Sequence, residues 1–536
     1  PILPIRLFEK LISKSREIYV AGSKGFIKIY PISILLFLAI VASSFYFLSK
    51  IPTGLVPYED KGVLLYGGKL PPGSSLQMTG KTIRHISKLL SKNPYLVNWG
   101  SIGGIDLDTT LPRSDSFLGF VNLKDWSKRP LLPVILKGLI RDFSKIKSAW
   151  VFCAPIPPIS GMGMVGGFEV YIQDTTGGPL TRLAYYAQKF VRAARKRPEL
   201  MFVRSSINFN VPTYKIKVDR EKAEAYHVSI SSIYRTIAML FGQFYVNDFN
   251  MYGRTFHVNL EAYWRFRQNP SDYRYVYVRS MTGKLIPLVS LIKVKKVAFS
   301  PILQKFNMFP AIKVSGMAAP GYTSGQVLKA VEEIAKKVLP PGYKIGFSGM
   351  SYFEVKEKAK TGMIFLVTFI FVYLLLVALY ESWILPITIL FTVPIGIFGA
   401  AFVFYLSTLV LPMPLENNIF FKIGLLTIAG LVAKNAILLV EFAEMERKKG
   451  VDLLSATLYA ARVRFRPIIM TSFAFIAGAV PLLLSLGAGA MSRITVGLTV
   501  IAGMLFATIF GIFFIPLFYY LIVSIRERVE RAFRTG

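Results

Sequence analysis

The sequence predicts an α-helical membrane protein with six transmembrane helices and a large α+β region held outside the bilayer. Two observations carry this prediction. Residues 29–49, 361–380, 382–411, 419–440, 467–486 and 494–525 are apolar and almost uncharged. Each meets the roughly 20-residue length that a helix needs to cross about 30 Å of hydrocarbon. Between the first and second of them lies a long stretch too polar for lipid and rich in strand and turn signals. With 536 residues and 53% hydrophobic residues the chain is no disordered tail, since apolar content of this kind sustains packed cores. Cys153 is the only cysteine, so no internal disulfide forms and redox compartment cannot be read from it.

Orientation follows from the basic residues beside the spans. Arg6, Lys10, Lys14, Arg16, Lys24 and Lys28 precede the first span. Arg447, Lys448, Lys449, Arg462, Arg464 and Arg466 lie between the fourth and fifth, and Arg526, Arg528, Arg531 and Arg534 follow the last. The connections 412–418 and 487–493 carry only Arg493. The positive-inside rule therefore puts both termini in the cytoplasm, including the tail 526–536, and the long segment outside. The leader 1–28 reads equally as an amphipathic helix on the inner leaflet and as a solvated juxtamembrane segment. It lacks the hydrophobic core and cleavage site of a signal peptide and does not begin with Met, so a fragment or processed part of a longer chain is expected.

Net charge is +34, and 45 Lys and Arg against 20 Asp and Glu fall between Lys50 and Lys360. Most of the charge is thus exported. No zinc-finger, helix-turn-helix or RNA-binding signature accompanies it, and cytosolic nucleic acid does not reach it, which excludes that class of partner.

Within the exported part a strand, turn, amphipathic helix and strand recur three times. Residues 63–70 lead through a Pro-Pro-Gly turn into a helix over 76–91 and a strand over 117–123. Residues 167–173 lead into a helix over 180–196, then strands over 200–208 and 214–218; residues 311–315 lead into 324–338 and 343–347. This alternation predicts small α+β units with helices packed on sheets. The excursion 234–297, rich in Tyr, Phe and Arg, reads as strand-like, including 273–278, and as a reach toward a partner or another subunit.

An ionisable group inside a membrane is by default a functional candidate, because its insertion costs at least about 2.5–3.5 kcal/mol. Lys434 lies deep in the fourth span, whereas Lys422 nearer the other end fits a snorkelling lysine. Arg464 and Thr471, seven residues apart, share one helix face two turns apart. By residue type alone Arg464 reads as an interfacial anchor. None of the eleven aspartates falls inside a span. No catalytic residue, cofactor motif or zinc spacing is found: His85, His227 and His257 are dispersed, and neither a phosphate-cradling loop nor a nucleophile elbow occurs. Residues 149–159 form an apolar, proline-broken segment that reads as core or as pocket wall, followed by the glycine-rich 161–167.

Several strings, in order, resemble one family: 56–63 (VPYEDKGV), 120–126 (FVNLKDW), 245–249 (YVNDF), 318–321 (AAPG), 349–352 (GMSY), 378–383 (ALYESW) and 424–442 with its AKNA core. The chain resembles the C-terminal half of an inner-membrane efflux pump of the resistance-nodulation-division superfamily, hydrophobe/amphiphile branch. The resemblance implies a first membrane helix at 29–50 and ferredoxin-like βαβ porter subdomains at 54–160 and at 161–211 plus 300–348. It also implies a docking subdomain at 212–299 and five membrane helices within 361–525. It reverses the reading of Arg464, because Lys434, Arg464 and Thr471 match the family's proton-relay residues. It implies that Phe120, Phe152 and Ile156 line a drug pocket with Arg204 at its mouth. The implied activity is proton antiport, not enzymatic catalysis. The implied partners are an N-terminal half carrying the titrating aspartates, two further protomers in a trimer, a periplasmic adaptor and an outer-membrane channel, in the bacterial inner membrane.

Two departures stand out. Residues 101–108, where the family's switch loop commonly bears phenylalanine, hold no aromatic residue, and Ala154 stands where phenylalanine is common. Met162 and Met164 raise a soft-metal exporter as an alternative, since thioethers select soft cations. A non-transporting scaffold or secretion accessory is the alternative outside transport.

Overall fold

The computed structural model describes residues 3–535 apart from 108, 110, 160–161, 163–166, 207–210, 301, 320 and 412–414. Met164 and the end of the strand expected at 200–208 lie outside the described residues. Contacts divide the chain into two units, Pro1–Ser206 with Gln304–Gly536, and Ile207–Leu303.

The chain opens with helix α1 (Leu3–Lys28) and helix α2 (Tyr30–Lys50). Tyr19 of α1 is buried, stacked on Phe465 with its hydroxyl donating to the Ile512 carbonyl, so this part of the leader packs on protein. Next come β1 (Val63–Lys69), α3 (Leu76–Leu90), β2 (Leu96–Ile105), β3 (Pro112–Leu123), α4 (Leu132–Phe143) and β4 (Trp150–Pro155). Their antiparallel sheet runs β2-β3-β1-β4, the ferredoxin-like order. Leu132, Ile135, Leu139 and Phe143, spaced by three or four residues, give α4 the apolar stripe that buries it. Together with Ile86 and Leu90 of α3 they cover Leu64, Tyr66, Phe117 and Val121 on one face of the sheet. The strand expected over 117–123 is longer at its start and pairs with a strand that was not expected, forming the long hairpin of β2 with β3.

A second unit of the same order follows: β5 (Phe168–Asp174), α5 (Leu180–Ala194) and β6 (Leu200–Ser205). The chain then leaves through β7 (Pro212–Val218), α6 (Arg220–Ala225), α7 (Ile230–Phe241), β8 (Phe244–Met251), β9 (Arg254–Leu260), β10 (Tyr277–Arg279), β11 (Leu285–Pro287), α8 (Leu288–Leu291) and β12 (Ile292–Ala298). Val218, Val228, Ile233, Val278, Leu288 and Ile292 form its separate core. Two expectations are corrected here. Ile230–Phe241 is helical, started by Ser229, whose hydroxyl accepts from the Ser232 N–H, so the excursion is not all strand. Pro270–Tyr275 is a 3₁₀ turn, because proline at its start fixes a helical φ, and only Tyr277–Arg279 pairs as strand.

The second unit resumes with β13 (Gln304–Phe306), β14 (Phe309–Ala318), α9 (Ser324–Val338) and β15 (Tyr343–Ser348). Its sheet places β14 and β15 on either side of β5, with β6 and β13 both pairing with β14. The excursion is therefore an insertion between the second and third strands of a ferredoxin-like unit.

The remaining elements are α10 (Gly349–Tyr380), α11 (Leu385–Leu390), α12 (Val393–Val410), α13 (Ile419–Lys448), α14 (Leu453–Leu483), α15 (Ala490–Phe506) and α16 (Ile512–Thr535), the last two joined by a π turn. Among the described residues six helices or helix series are long and apolar enough to span a membrane. The span expected over 382–411 is broken at Phe391 and Thr392, ahead of Pro394, which cannot donate to the preceding turn. The span expected from Pro467 instead continues a helix begun at Leu453, capped by Asp452.

Candidate functional site

Alternation along a strand decides which side chains of the first unit meet the helices and which do not. Leu64 and Tyr66 face α3 and α4, so Leu65 and Gly67 face away. Register pairs Leu65 with Phe120 and Gly67 with Phe152, which puts both phenylalanines on the helix-free face. Trp150, paired with Lys69, joins them and stacks on Phe152 at 5.2 Å between ring centroids. Phe120 is 42% exposed and Phe152 9%. Ile156, just beyond β4, is half-buried.

Arg204 of β6 comes to this face from the second ferredoxin-like sheet. Its guanidinium carbon lies 4.3 Å from the Phe152 ring centroid and 5.1 Å from that of Trp150. Three of the four residues expected in a pocket thus share one aromatic face or contact it: Phe120, Phe152 and Arg204. Trp150 was missed as a site residue, although its place two residues before Phe152 in a strand puts it on the same face. The segment expected as a switch loop is largely the β2 strand, and Asp106 at its end is fully buried and held by Lys69 at 2.8 Å. Cys153, on the helix side, is buried, and that burial pushes its thiol up to about 12, which leaves it unreactive. No group of His, Cys, Asp and Glu suited to a metal occurs among the described residues.

In the membrane part Asn435 and Ser472 are buried and tie α13 to α14 by a hydrogen bond of 3.2 Å. Lys434 and Thr471 are their sequence neighbours. The Lys434 ammonium stands 5.4 Å from the Phe475 ring centroid, and Phe475 is one turn beyond Thr471 on α14. Thr471 donates to the Ile468 carbonyl at 3.0 Å. Arg464 lies over Phe442 of α13 at 4.7 Å, and its Nε has no hydrogen-bond partner among the described residues. Phe442 is eight residues past Lys434, about 12 Å along the helix. Lys434, Thr471 and Arg464 therefore lie along one seam between two antiparallel helices, with no hydrogen bond between them. Two rings that the sequence did not single out, Phe442 and Phe475, are what the cations contact.

The family model for the AcrB/AcrD/AcrF family matches residues 4–523. The toluene efflux pump membrane transporter TtgE of Pseudomonas putida is 34% identical over 532 residues, which cover 98% of this chain and 50% of that protein. TtgB, named likewise and from the same species, is 35% identical over 502 residues, 92% of this chain and 46% of that protein. Multidrug resistance protein MdtF of Escherichia coli (strain K12) is 32% identical over 534 residues, with 98% and 50% covered. The chain spans about half the length of the curated relatives it matches. With the match running from the leader to the last membrane helix, the chain belongs to the AcrB/AcrD/AcrF family of the resistance-nodulation-division superfamily.

Proposed function

We propose that this chain is the C-terminal half of a proton-driven inner-membrane exporter of amphiphilic drugs or solvents. The observation that carries the reading is the α13–α14 seam: two cations inside membrane helices, each against an aromatic ring, with no carboxylate paired to Lys434 among the described residues. A lysine or arginine does not exchange protons near neutral pH unless strongly perturbed, so the proton carriers are acids supplied by an N-terminal half, in the same polypeptide or another. When those acids are ionised they hold Lys434; when they take protons the hold is released and the helices shift. Lys434, Arg464 and Thr471 form this chain's share of the relay.

The substrate side is the face of Phe120, Phe152 and Ile156 with Arg204 at its edge. Apolar attraction has no direction, so a wall of rings accepts amphiphiles of many shapes. The names of the relatives, toluene and multidrug efflux, agree with that chemistry. Residues 54–160 and 161–211 with 300–348 serve as porter subdomains and 212–299 as the docking subdomain, in a trimer with a periplasmic adaptor and an outer-membrane channel. The test is Lys434→Ala in cells that depend on the pump: export of dye and solvent is lost while the amount of assembled protein stays unchanged. Undiminished export by that variant overturns the reading.

A further inference from the structure

We infer that Glu59 is a positioning residue that ties the first α+β unit to the last membrane span and thereby exchanges motion with the helix that carries Lys434. This rests on the export reading above. Glu59 lies in the lead-in between α2 and β1 and is 6% exposed. One of its carboxylate oxygens accepts from the backbone N–H of Ser492 at 2.8 Å and from the Ser492 hydroxyl. Ser492 is the third residue of α15, where a helix N–H has no partner within the helix and the dipole favours negative charge. The other oxygen has no hydrogen-bond partner among the described residues. Burying a carboxylate is costly, and the Ser492 contact is what offsets it.

The tie stands on a fixed mount. Asp60, the next residue, accepts two hydrogen bonds of 2.8 Å from the Arg129 guanidinium, which itself lies over Trp126. The Trp126 indole N–H donates to the Asp60 carbonyl at 3.0 Å. The same ring packs against Gly487 in the loop before α15, where an added Cβ would sit 3.6 Å from it. Beyond Ser492 the contact passes to α13. Thr499 fills the space of a side chain at Gly424, where a Cβ would lie 2.7 Å from it, and Ile428 does the same at Gly503. Packing this close leaves α15 no room to slide independently of α13, and Lys434 lies six residues past Ile428. The contiguous route is a physical one; its energetic coupling is what the experiment measures.

Two substitutions at Glu59 separate the tie from a general loss of structure, with the chain in its native assembly. Glu59→Leu removes the acceptor, whereas Glu59→Gln keeps an oxygen for the Ser492 N–H. Gradient-driven export of a fluorescent dye at saturating concentration is compared with equilibrium binding of the same dye without a gradient. The expected result for Glu59→Leu is a loss of maximal export of about tenfold with the dye Kd within about twofold, and recovery to within about threefold of wild type in Glu59→Gln. Ser492→Pro removes both donors in a first helical turn that tolerates proline, so it reproduces the loss if Glu59→Leu does not assemble. Wild-type export by Glu59→Leu or by Ser492→Pro, no recovery in Glu59→Gln, or a Kd that weakens in step with export each overturns the proposal. A wild-type protein that exports no dye counts against the export reading itself. Loss in Lys434→Ala with normal export in Glu59→Leu counts against the tie alone.

Discussion

The aromatic face of the first α+β unit and the α13–α14 seam both set cations against rings, yet only the seam does so inside membrane helices. At the face, the Arg204 guanidinium covers Phe152 and Trp150, with its Nη1 buried. In the seam, Lys434 and Arg464 lie against Phe475 and Phe442 inside membrane helices. A cation over a ring gains about 0.5–1 kcal/mol when exposed and about 2 or more when desolvated. A cation at the bilayer centre costs at least about 2.5–3.5 kcal/mol. Rings alone therefore leave the seam short of compensation inside the membrane. Under the export reading, substrate contact is met by this chain's own residues, whereas energy coupling draws on acids from elsewhere.

That contrast predicts two kinds of mutant. A seam substitution stops the engine, so Arg464→Ala should lower export of every substrate by a similar factor, tenfold or more on the scale of about 1.4 kcal/mol per decade. Dye and solvent panels check this, and a loss confined to some substrates breaks the comparison. A face substitution changes recognition, so Phe152→Ala should cut export of large amphiphiles about three- to tenfold and small ones less, as expected when a wall loses on the order of 1 kcal/mol of contact. It should also lower the unfolding temperature, because Phe152 is buried and stacked, whereas Phe120→Ala at an exposed ring should leave that temperature nearly unchanged. Equal thermal losses at the two positions would contradict the assignment of buried and open rings.

Membrane spans and the elements β1, α3, α5, α9 and β15 were legible because their signals are local, apolar length in one case and periods of 2 and 3.6 in the other, whereas β2, α4 and β4 of the first unit were not singled out. The helices α3 and α9 begin where the sequence places them, at Leu76 and Ser324, because Ser75 and Thr323 cap them. The helix Ile230–Phe241 was hidden by aromatic residues around it that favour strands. The proline-split span was hidden because uniform apolarity has no period to interrupt. At the site, Phe120, Phe152 and Arg204 were placed by resemblance, but their meeting depends on register across β1 and on an insertion that separates β6 from β14. Nothing in the spacing of Glu59 and Ser492, 433 residues apart, announces their hydrogen bond.

The smallest predicted effect lies outside both regions, where the segment after α2 meets the starts of α9 and α13. After α2 the Pro52 carbonyl accepts from the Asn417 N–H at 2.8 Å, the Leu55 carbonyl accepts from the Ile419 N–H at 3.1 Å, and the Thr53 carbonyl accepts from the Gly325 N–H at 3.0 Å. Glu416 stands in this junction with its carboxyl group against Gly54. Burial, and then the charge of Glu354 on α10, push its pKa from 4.5 up to about 8. Between those two values the folded protein holds a proton that the unfolded chain has released, so its contribution to stability is fully present below 4.5 and is lost as pH rises through 8. Glu416→Gln fixes the group in its neutral form. Wild-type protein in detergent should therefore lose a few degrees more of unfolding temperature than Glu416→Gln between about pH 5 and 8.5. Equal pH slopes in the two proteins would remove Glu416 from the account. A steeper wild-type slope would show that the stability of the fold depends on pH through a carboxyl group that belongs to neither the aromatic face nor the seam.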